Sequence, residues 1–193
     1  MIEESIIEKA KEGDKQAFRT IFHYYEQKVF STAYFIMKDR QHAEDVVQEV
    51  FLKVYLKIHK LQNNKVFEIW LYRITVNLCS SFFRKLNKFS TSSIDEKIMV
   101  EDFLISEKFS LPDNILIRKE FQEKVMEVVY SLPVKHRTVI TLYYYNNMSI
   151  KEISNIMGCS EGTVKSRLFY GKKELKKAFD MEEEDKEDAI YEF

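Results

Sequence analysis

The sequence contains very little glycine and proline, with four glycines and two prolines among 193 residues. This is about a quarter of ordinary usage, and it excludes collagen-like, linker-rich and turn-dense all-β chains. No glycine occurs between Gly13 and Gly158, and the phosphate-binding patterns G-x-G-x-x-G and G-x-x-x-x-G-K-S/T are absent throughout. These absences argue against nucleotide-binding enzymes of those classes.

Patterns for metal binding and nucleophilic catalysis are also missing. The two cysteines, Cys79 and Cys159, have no second cysteine or histidine at metal-ligand spacing. We therefore expect no zinc site, no disulfide framework and no cofactor. A helical enzyme ranks last among the function classes, because its candidate polar residues show no ligand or nucleophile spacing. Those candidates are Asp39, His42, Glu44 and Asp45.

Long apolar runs are absent as well. None approaches the ~18 residues that a membrane span needs. The acidic start, MIEES, lacks the basic and apolar pattern of a signal peptide. We expect a cytoplasmic protein that does not insert into a membrane.

The net charge of −1 hides an alternation of charge along the chain. Residues 1–88 carry +4, residues 89–111 carry −3, residues 112–179 carry +5 and residues 180–193 carry −7. A basic segment is most often a solvated surface, so the charge alone only raises the expectation of an anionic partner.

Apolar residues recur at helical spacing in both basic segments, which predicts an all-α protein. We predict two small helical domains, over residues 1–88 and 113–179, joined by a flexible linker over residues 89–112 that is rich in serine and threonine. The predicted helices cover residues 3–12, 15–37, 41–58, 66–87, 114–131, 134–146, 150–157 and 161–178. The tail, residues 180–193, is interpreted as a disordered solubilising end, with electrostatic competition against DNA for the preceding lysines as a hypothesis.

The last two predicted helices have the pattern of a helix-turn-helix. Ser149 and Glu152 form a capping box, in which each side chain satisfies a backbone amide at a helix start. Gly158 ends that helix and Ser160 can cap the next one, which gives two helices joined by a short glycine-containing turn.

The final helix has one apolar face, and its other face suits a DNA major groove. Lysines neutralise phosphates and reach guanine edges, a serine can donate or accept, and a phenylalanine offers an apolar surface to a thymine methyl. We weigh DNA binding above an ordinary solvated amphipathic helix. The residues concerned are Gly162, Lys165, Ser166, Phe169 and Lys173.

The predicted helix 41–58 carries an unusual polar face. Acidic and amide groups alternate there with leucines, which is typical of a protein-docking surface. The alternative is that Leu52 and Leu56 pack against a neighbouring helix of the same domain, and helical geometry alone favours neither reading. The polar members of this face are Asp45, Gln48 and Glu49.

A polar strip also runs along the predicted helix 66–87. Its arginines can anchor phosphates while the asparagine between them contacts a base or sugar. Trp70 and Tyr72 lie nearby, and we interpret them as core residues rather than as stacking platforms. The strip consists of Arg73, Asn77, Ser80 and Arg84, and Lys85 extends its charge.

Three strings, AEDVVQEVF at 43–51, WLYRITVN at 70–77 and GTVKSRL at 162–168, together resemble bacterial RNA polymerase sigma factors of the extracytoplasmic-function (ECF) group, in the sigma-70 family. They occur in the family's order and separation, and the resemblance covers about residues 14–88 and 113–178. Three motifs in register are a specific signal, which a lone helix-turn-helix is not.

The resemblance implies three interfaces. The first domain would dock on the β′ clamp helices of core RNA polymerase through Asp45, Gln48, Glu49 and Leu52. It would read and open the promoter −10 element with the 66–87 strip and the loop Gln62 to Asn64. The second domain would bind the polymerase β flap and read the −35 element. The implied −10 residues are Asn63, Asn64, Arg73, Asn77, Arg84 and Lys85; the implied −35 residues are Gly162, Thr163, Lys165, Ser166, Arg167, Phe169 and Lys173.

The resemblance also implies control by an anti-sigma factor. A helix-turn-helix regulator that acts without core polymerase is the alternative function. Three positions depart from the family pattern: Ser81 where an aspartate is frequent, Tyr170 with Gly171 in place of Arg-Ala, and Asn147 in place of a turn glycine. A glycine inside a helix costs about 1 kcal/mol, whereas asparagine tolerates left-handed backbone angles.

Overall fold

The computed structural model describes the backbone of residues 2–89 and 124–188 and the side chains of residues 2–85 and 124–177. Regular structure in these ranges is entirely helical, which confirms the all-α prediction. The predicted linker, residues 89–112, and the predicted helical residues 114–123 lie outside the described residues, apart from the backbone of Phe89.

The N-terminal part contains four helices: α1 (Glu4–Lys11), α2 (Lys15–Met37), α3 (Arg40–Lys57) and α4 (Phe67–Phe89). Short polar side chains cap the N-termini of α2 and α3. The Asp14 carboxylate accepts hydrogen bonds from the backbone amides of Gln16 and Ala17 at 2.7 and 3.0 Å, and Asp39 accepts one from His42 at 2.6 Å. Such caps satisfy amides that have no partner within the helix.

The C-terminal part contains the helical residues 124–131 (α5), then α6 (Val134–Ile140), α7 (Ile150–Met157) and α8 (Glu161–Asp188). One turn of π-helix, Thr141–Tyr145, follows α6. The predicted helix 134–146 is therefore one α-helical segment continued by a wider turn. Helix α8 extends past the predicted end at 178, so residues 180–188 are helical and not disordered as predicted. The physical reason is that no glycine or proline follows Gly171 and glutamate and lysine are good helix formers.

Each part has its own buried apolar residues. Tyr25, Val46 and Leu71 join α2, α3 and α4, while Leu142, Ile153 and Val164 join the π-turn, α7 and α8. The two sets are continuous, because α2 contacts α6 and α4 contacts α7. The C-terminal part thus packs on the N-terminal part in this conformation.

No helix within residues 2–89 or 124–188 is both long enough and apolar enough to cross a lipid bilayer.

Candidate protein and nucleic-acid interfaces

The α3 surface opposite the core is solvent-accessible. Leu52 and Leu56 are 58% and 57% exposed, and Tyr55 beside them is 49% exposed. The sequence left open whether the two leucines meet a neighbouring helix; that alternative is wrong for the packing described. Asp45 and Gln48 are exposed on the same surface. We call Asp45, Gln48, Glu49, Leu52 and Leu56 the α3 face.

Glu49 is half-buried and forms an ion pair with Lys53 at 2.8 Å. A pair four residues apart on a helix surface contributes only a few tenths of a kcal/mol. The exposed leucines are therefore a larger feature of the α3 face than this ion pair. An apolar surface with a polar rim is the ordinary composition of a protein-docking site.

Helix α4 presents the predicted polar strip. Arg73, Asn77, Ser80 and Arg84 are exposed, and so is Lys85. The Arg73 guanidinium donates a hydrogen bond of 2.5 Å to the backbone carbonyl of Asn155 in α7. One end of the strip is therefore engaged by the C-terminal part of the chain.

The connection between α3 and α4 forms a cleft with the first turn of α4. The cleft has a volume of about 450 Å³ and includes Leu61, Gln62, Asn63, Val66 and Trp70 in its lining. Trp70 is half-buried and borders the cleft, whereas Tyr72 is 1% exposed and is a core residue as predicted. An apolar cleft with amides at its rim can accept an unpaired base, which stacks on aromatic surface and offers polar edges.

The predicted −10 residues of this connection differ in availability. Gln62 and Asn63 are exposed, although the side-chain oxygen Oδ1 of Asn63 also accepts a hydrogen bond from the Lys65 backbone amide at 3.0 Å. Asn64 is half-buried, and both polar atoms of its side chain are bonded to α1. Gln62 and Asn63 therefore line the cleft, whereas Asn64 is hydrogen-bonded to α1.

The helix-turn-helix has the predicted local structure. The Ser149 amide donates to the Glu152 carboxylate at 2.8 Å and the Glu152 amide donates to the Ser149 hydroxyl at 3.3 Å, which is a complete capping box. Gly158 adopts φ +61° at the turn, a left-handed angle that glycine reaches without strain. The Thr163 amide donates to the Ser160 hydroxyl at 3.1 Å and starts α8.

Helix α8 separates a buried and an exposed face. Val164 and Leu168 are 0% and 5% exposed, while Phe169 is 66% exposed. The remaining predicted DNA-reading side chains on the outer face are all exposed. They are Lys165, Ser166 and Lys173, with Gly162 beside them.

Two predicted −35 residues lie closer to the turn. Arg167 is half-buried, and its guanidinium approaches the sulfur atoms of Cys159 at 3.7 Å and Met157 at 3.9 Å. The Thr163 hydroxyl lies 2.9 Å from that of Ser160. Of the two roles that the sequence left open for Arg167, phosphate contact or packing, these contacts favour packing.

Family models match both parts of the chain. Residues 21–89 match sigma-70 region 2, and residues 122–175 match sigma-70 region 4. The ECF RNA polymerase sigma factor SigW of Bacillus subtilis is 32% identical over 176 residues, which cover 89% of this chain and 93% of SigW. The sigma-E factor of Escherichia coli K12 is 31% identical over 172 residues, covering 88% of this chain and 90% of that protein.

The chain belongs to the ECF sigma factors. It is an alternative sigma factor, which directs RNA polymerase in transcription initiation. A regulator that acts without polymerase is not favoured, since region 2 is present together with the helix-turn-helix. Two solved structures have the same fold. The Bartonella quintana sigma factor RpoE bound to the anti-sigma factor NepR has a TM-score of 0.69 at 20% identity, with coverage of 84% of this chain and 96% of that one. CnrH bound to the cytosolic domain of CnrY has a TM-score of 0.66 at 19% identity, covering 92% and 97%.

Sequence reasoning about this sigma factor missed Arg137. Arg137 is 2% exposed, and its guanidinium donates to the Ile36 carbonyl at 2.7 and 3.1 Å, to the Tyr130 carbonyl at 3.0 Å and to the Leu132 carbonyl at 3.3 Å. Burial lowers its pKa to about 10, so it remains protonated at neutral pH. Carbonyls at helix C-termini carry partial negative charge, which suits a cation. Arg137 therefore ties the end of α2 to region 4.

A second missed feature of the sigma factor explains Gly171. A Cβ atom at this position would lie 2.6 Å from the Ile140 side chain. The glycine allows α8 to approach α6 closely, so its cost in helix propensity has a packing reason. Asn147 adopts φ +54°, a left-handed backbone angle that asparagine tolerates better than most residues.

Proposed function

We propose that the three exposed surfaces of this sigma factor divide the work of initiation. The α3 face docks on the β′ clamp helices of core polymerase, the α4 strip with its cleft reads and opens the −10 element, and the outer face of α8 reads the −35 element. Region 4 also binds the β flap. We assign these functions to domains at residues 1–88 and 113–179, joined by the linker 89–112 and followed by the tail 180–193.

The observation that carries this assignment is the exposure of the α3 face. Its leucines stay uncovered while α4 and α7 pack together, although burying one leucine contributes about 1.5 to 3 kcal/mol. A regulator that only binds DNA has no use for such a surface. The catalyst is the docked polymerase, and the sigma factor itself contributes no catalysis.

Division between two domains also follows from the salt dependence of DNA binding. Each DNA-reading surface offers only a few cations, so each alone binds promoter DNA weakly at physiological ionic strength. Holding both on one polymerase makes the second contact effectively intramolecular. The bond from Arg73 to Asn155 must open for the complete α4 strip to reach DNA.

An anti-sigma factor is the proposed negative regulator. The solved sigma factor RpoE of Bartonella quintana, which has this fold, is bound to such a partner, NepR. A partner that covers the α3 face or stabilises the contact of α4 with α7 would prevent initiation. We place this regulation in the cytoplasm, where polymerase and promoter DNA are present.

Run-off transcription with core polymerase tests the division of functions. Lys165→Ala is expected to lower transcription from the cognate promoter about tenfold and leave core affinity unchanged. Asp45→Arg is expected to weaken core affinity. Lys151→Ala and Glu26→Arg are matched controls at exposed positions away from both faces. Equal core affinity of Lys165→Ala and Asp45→Arg would contradict the assignment.

A further inference from the structure

The connection between α3 and α4 is fastened by a helix that precedes it by more than fifty residues. The Asn64 amide nitrogen donates to Glu8 Oε2 at 2.6 Å, and Lys11 Nζ donates to Asn64 Oδ1 at 3.2 Å. Lys11 Nζ also donates to the same Glu8 oxygen at 3.0 Å. The three side chains form a closed triangle, which we call the α1 clamp.

The α1 clamp connects Asn64 to the hydrophobic core of region 2. Glu8 and Lys11 are three residues apart on α1 and meet without help from the rest of the chain. Helix α1 is itself anchored by Ile7 and Ala10, which are 2% and 6% exposed. The position of Asn64 is therefore fixed relative to the core.

Two observations support the clamp, although its Glu8 side chain is 51% exposed. The Lys11 side chain is only 17% exposed, although lysine is usually solvated. The pKa of the Glu8 carboxyl lies below its ordinary value, first because of the hydrogen bond from Asn64 and then because of Lys11. Hydrogen bonds with an ionised partner are stronger than neutral ones.

The clamp uses one amide hydrogen and one oxygen lone pair of Asn64, whose side chain is half-buried against α1. Its neighbours Gln62 and Asn63 are exposed at the cleft that also contains Trp70. A reading surface on a connecting segment is accurate only when other groups fix its backbone. Asn64 supplies that fixed point.

We propose that α1 positions the −10 reading surface: Glu8 and Lys11 hold Asn64 so that Gln62 and Asn63 stand in a fixed relation to the Trp70 cleft. The inference rests on the proposed −10 function of this surface. Glu8, Lys11 and Asn64 are positioning residues and need not touch DNA. Loss of the clamp reduces the discrimination between −10 sequences as well as the output.

The test compares full-length Glu8→Ala with Glu4→Ala, which removes an exposed glutamate from the same helix. Each is assembled with core polymerase and assayed by run-off transcription on the cognate promoter and on promoters changed at single −10 positions. We expect Glu8→Ala to reduce the ratio of cognate to altered output about threefold to tenfold, with core affinity and Tm matching those of Glu4→Ala. A ratio equal to that of Glu4→Ala overturns the inference. So does a uniform loss on all promoters together with weaker core binding, because that is general destabilisation.

A compensating pair keeps the test independent of folding. Asn64→Asp places a second carboxylate against Glu8 and is expected to lower the ratio. Adding Glu8→Gln supplies an amide donor to that carboxylate and is expected to restore it; failure of this rescue in a folded double variant overturns the inference. If the output of the wild-type holoenzyme does not depend on the −10 sequence, the proposed function is wrong. If the wild type discriminates between −10 sequences and Glu8→Ala does so equally well, only the role of α1 is wrong.

Discussion

Replacing Arg137 by methionine removes a charged donor that serves three buried backbone carbonyls. Methionine retains much of the aliphatic volume and leaves the carbonyls of Ile36, Tyr130 and Leu132 without this partner. The two bonds to Ile36 cross from region 4 to the end of α2, and the others lie within region 4. The substitution is therefore expected to loosen both the C-terminal domain and its packing on region 2.

The expected loss of stability in Arg137→Met follows from the three backbone carbonyls that lose their hydrogen-bond donor. A buried polar group that loses its partner costs about 1 to 3 kcal/mol, so three carbonyls at the lower limit give about 3 kcal/mol. The lower limit applies because methionine also removes the cost of burying a cation, a cost that the lowered pKa of Arg137 reflects. For a chain of this size, this loss lowers Tm by about 6 to 12 °C.

Thermal unfolding of the full chain, followed by circular dichroism, measures the effect. Lys135→Met is the matched control, because Lys135 is exposed two residues away on the same helix; its effect is expected within about 0.5 kcal/mol. Small-angle scattering is expected to show a larger radius of gyration for Arg137→Met, as the cross-domain bonds are lost. Equal Tm values for the two variants would refute the reasoning.

Three further predictions concern other features. Gly171→Ala is expected to lower the free energy of unfolding by about 1 to 3 kcal/mol through the clash with Ile140, whereas Gly162→Ala, whose Cβ would lie 3.8 Å from the nearest side-chain atom, raises it by up to about 1 kcal/mol; urea unfolding that ranks them in the opposite order contradicts the packing explanation. Lowering the pH is expected to release Asn64: the hydrogen bond from Asn64 and the nearby Lys11 ammonium hold the pKa of the Glu8 carboxyl below its ordinary value, so its contribution is complete above the ordinary value and disappears as the pH falls through the lowered one. The Asn64 side-chain amide resonance follows this step, and a midpoint that is not below the ordinary value of a glutamate, or the same step in Glu8→Gln, contradicts it. Phe169→Ala is expected to weaken initiation at −35 promoters that present a thymine methyl and to leave Tm unchanged, because the ring is 66% exposed; equal loss at promoters without that methyl argues against direct contact.

Local signals in the sequence predicted the helices well. The boundaries of α2 and α7 are those predicted, because Asp14 caps one start, Ser149 and Glu152 cap the other, and Gly158 provides a left-handed end. The main miss, the helical segment 180–188, was judged from its charge, although its helix-forming residues and the absence of glycine favoured continuation.

The sequence also predicted which faces of α3, α4 and α8 are exposed, since helical periodicity separates faces, although Glu49 and Arg167 are half-buried. It did not predict contacts between residues far apart in the chain. Asn64 and Glu8 are 56 residues apart and Arg137 and Ile36 are 101 apart, and no periodic pattern encodes such pairs. One sequence signal indicated that Arg137 is buried. It lies three residues after Val134 and three before Ile140, so helical spacing places its charge on an apolar face.

The acceptor for Arg73 in α7 is a main-chain oxygen, and this has a genetic consequence. Every amino acid at position 155 supplies the same carbonyl, so no side-chain exchange there deletes the acceptor. Substitution of Arg73 should therefore weaken the contact of α4 with α7, whereas side-chain changes at position 155 that keep α7 helical should leave this hydrogen bond in place. A phosphate, which carries a full negative charge where the carbonyl has only a dipole, is the natural competitor for that arginine.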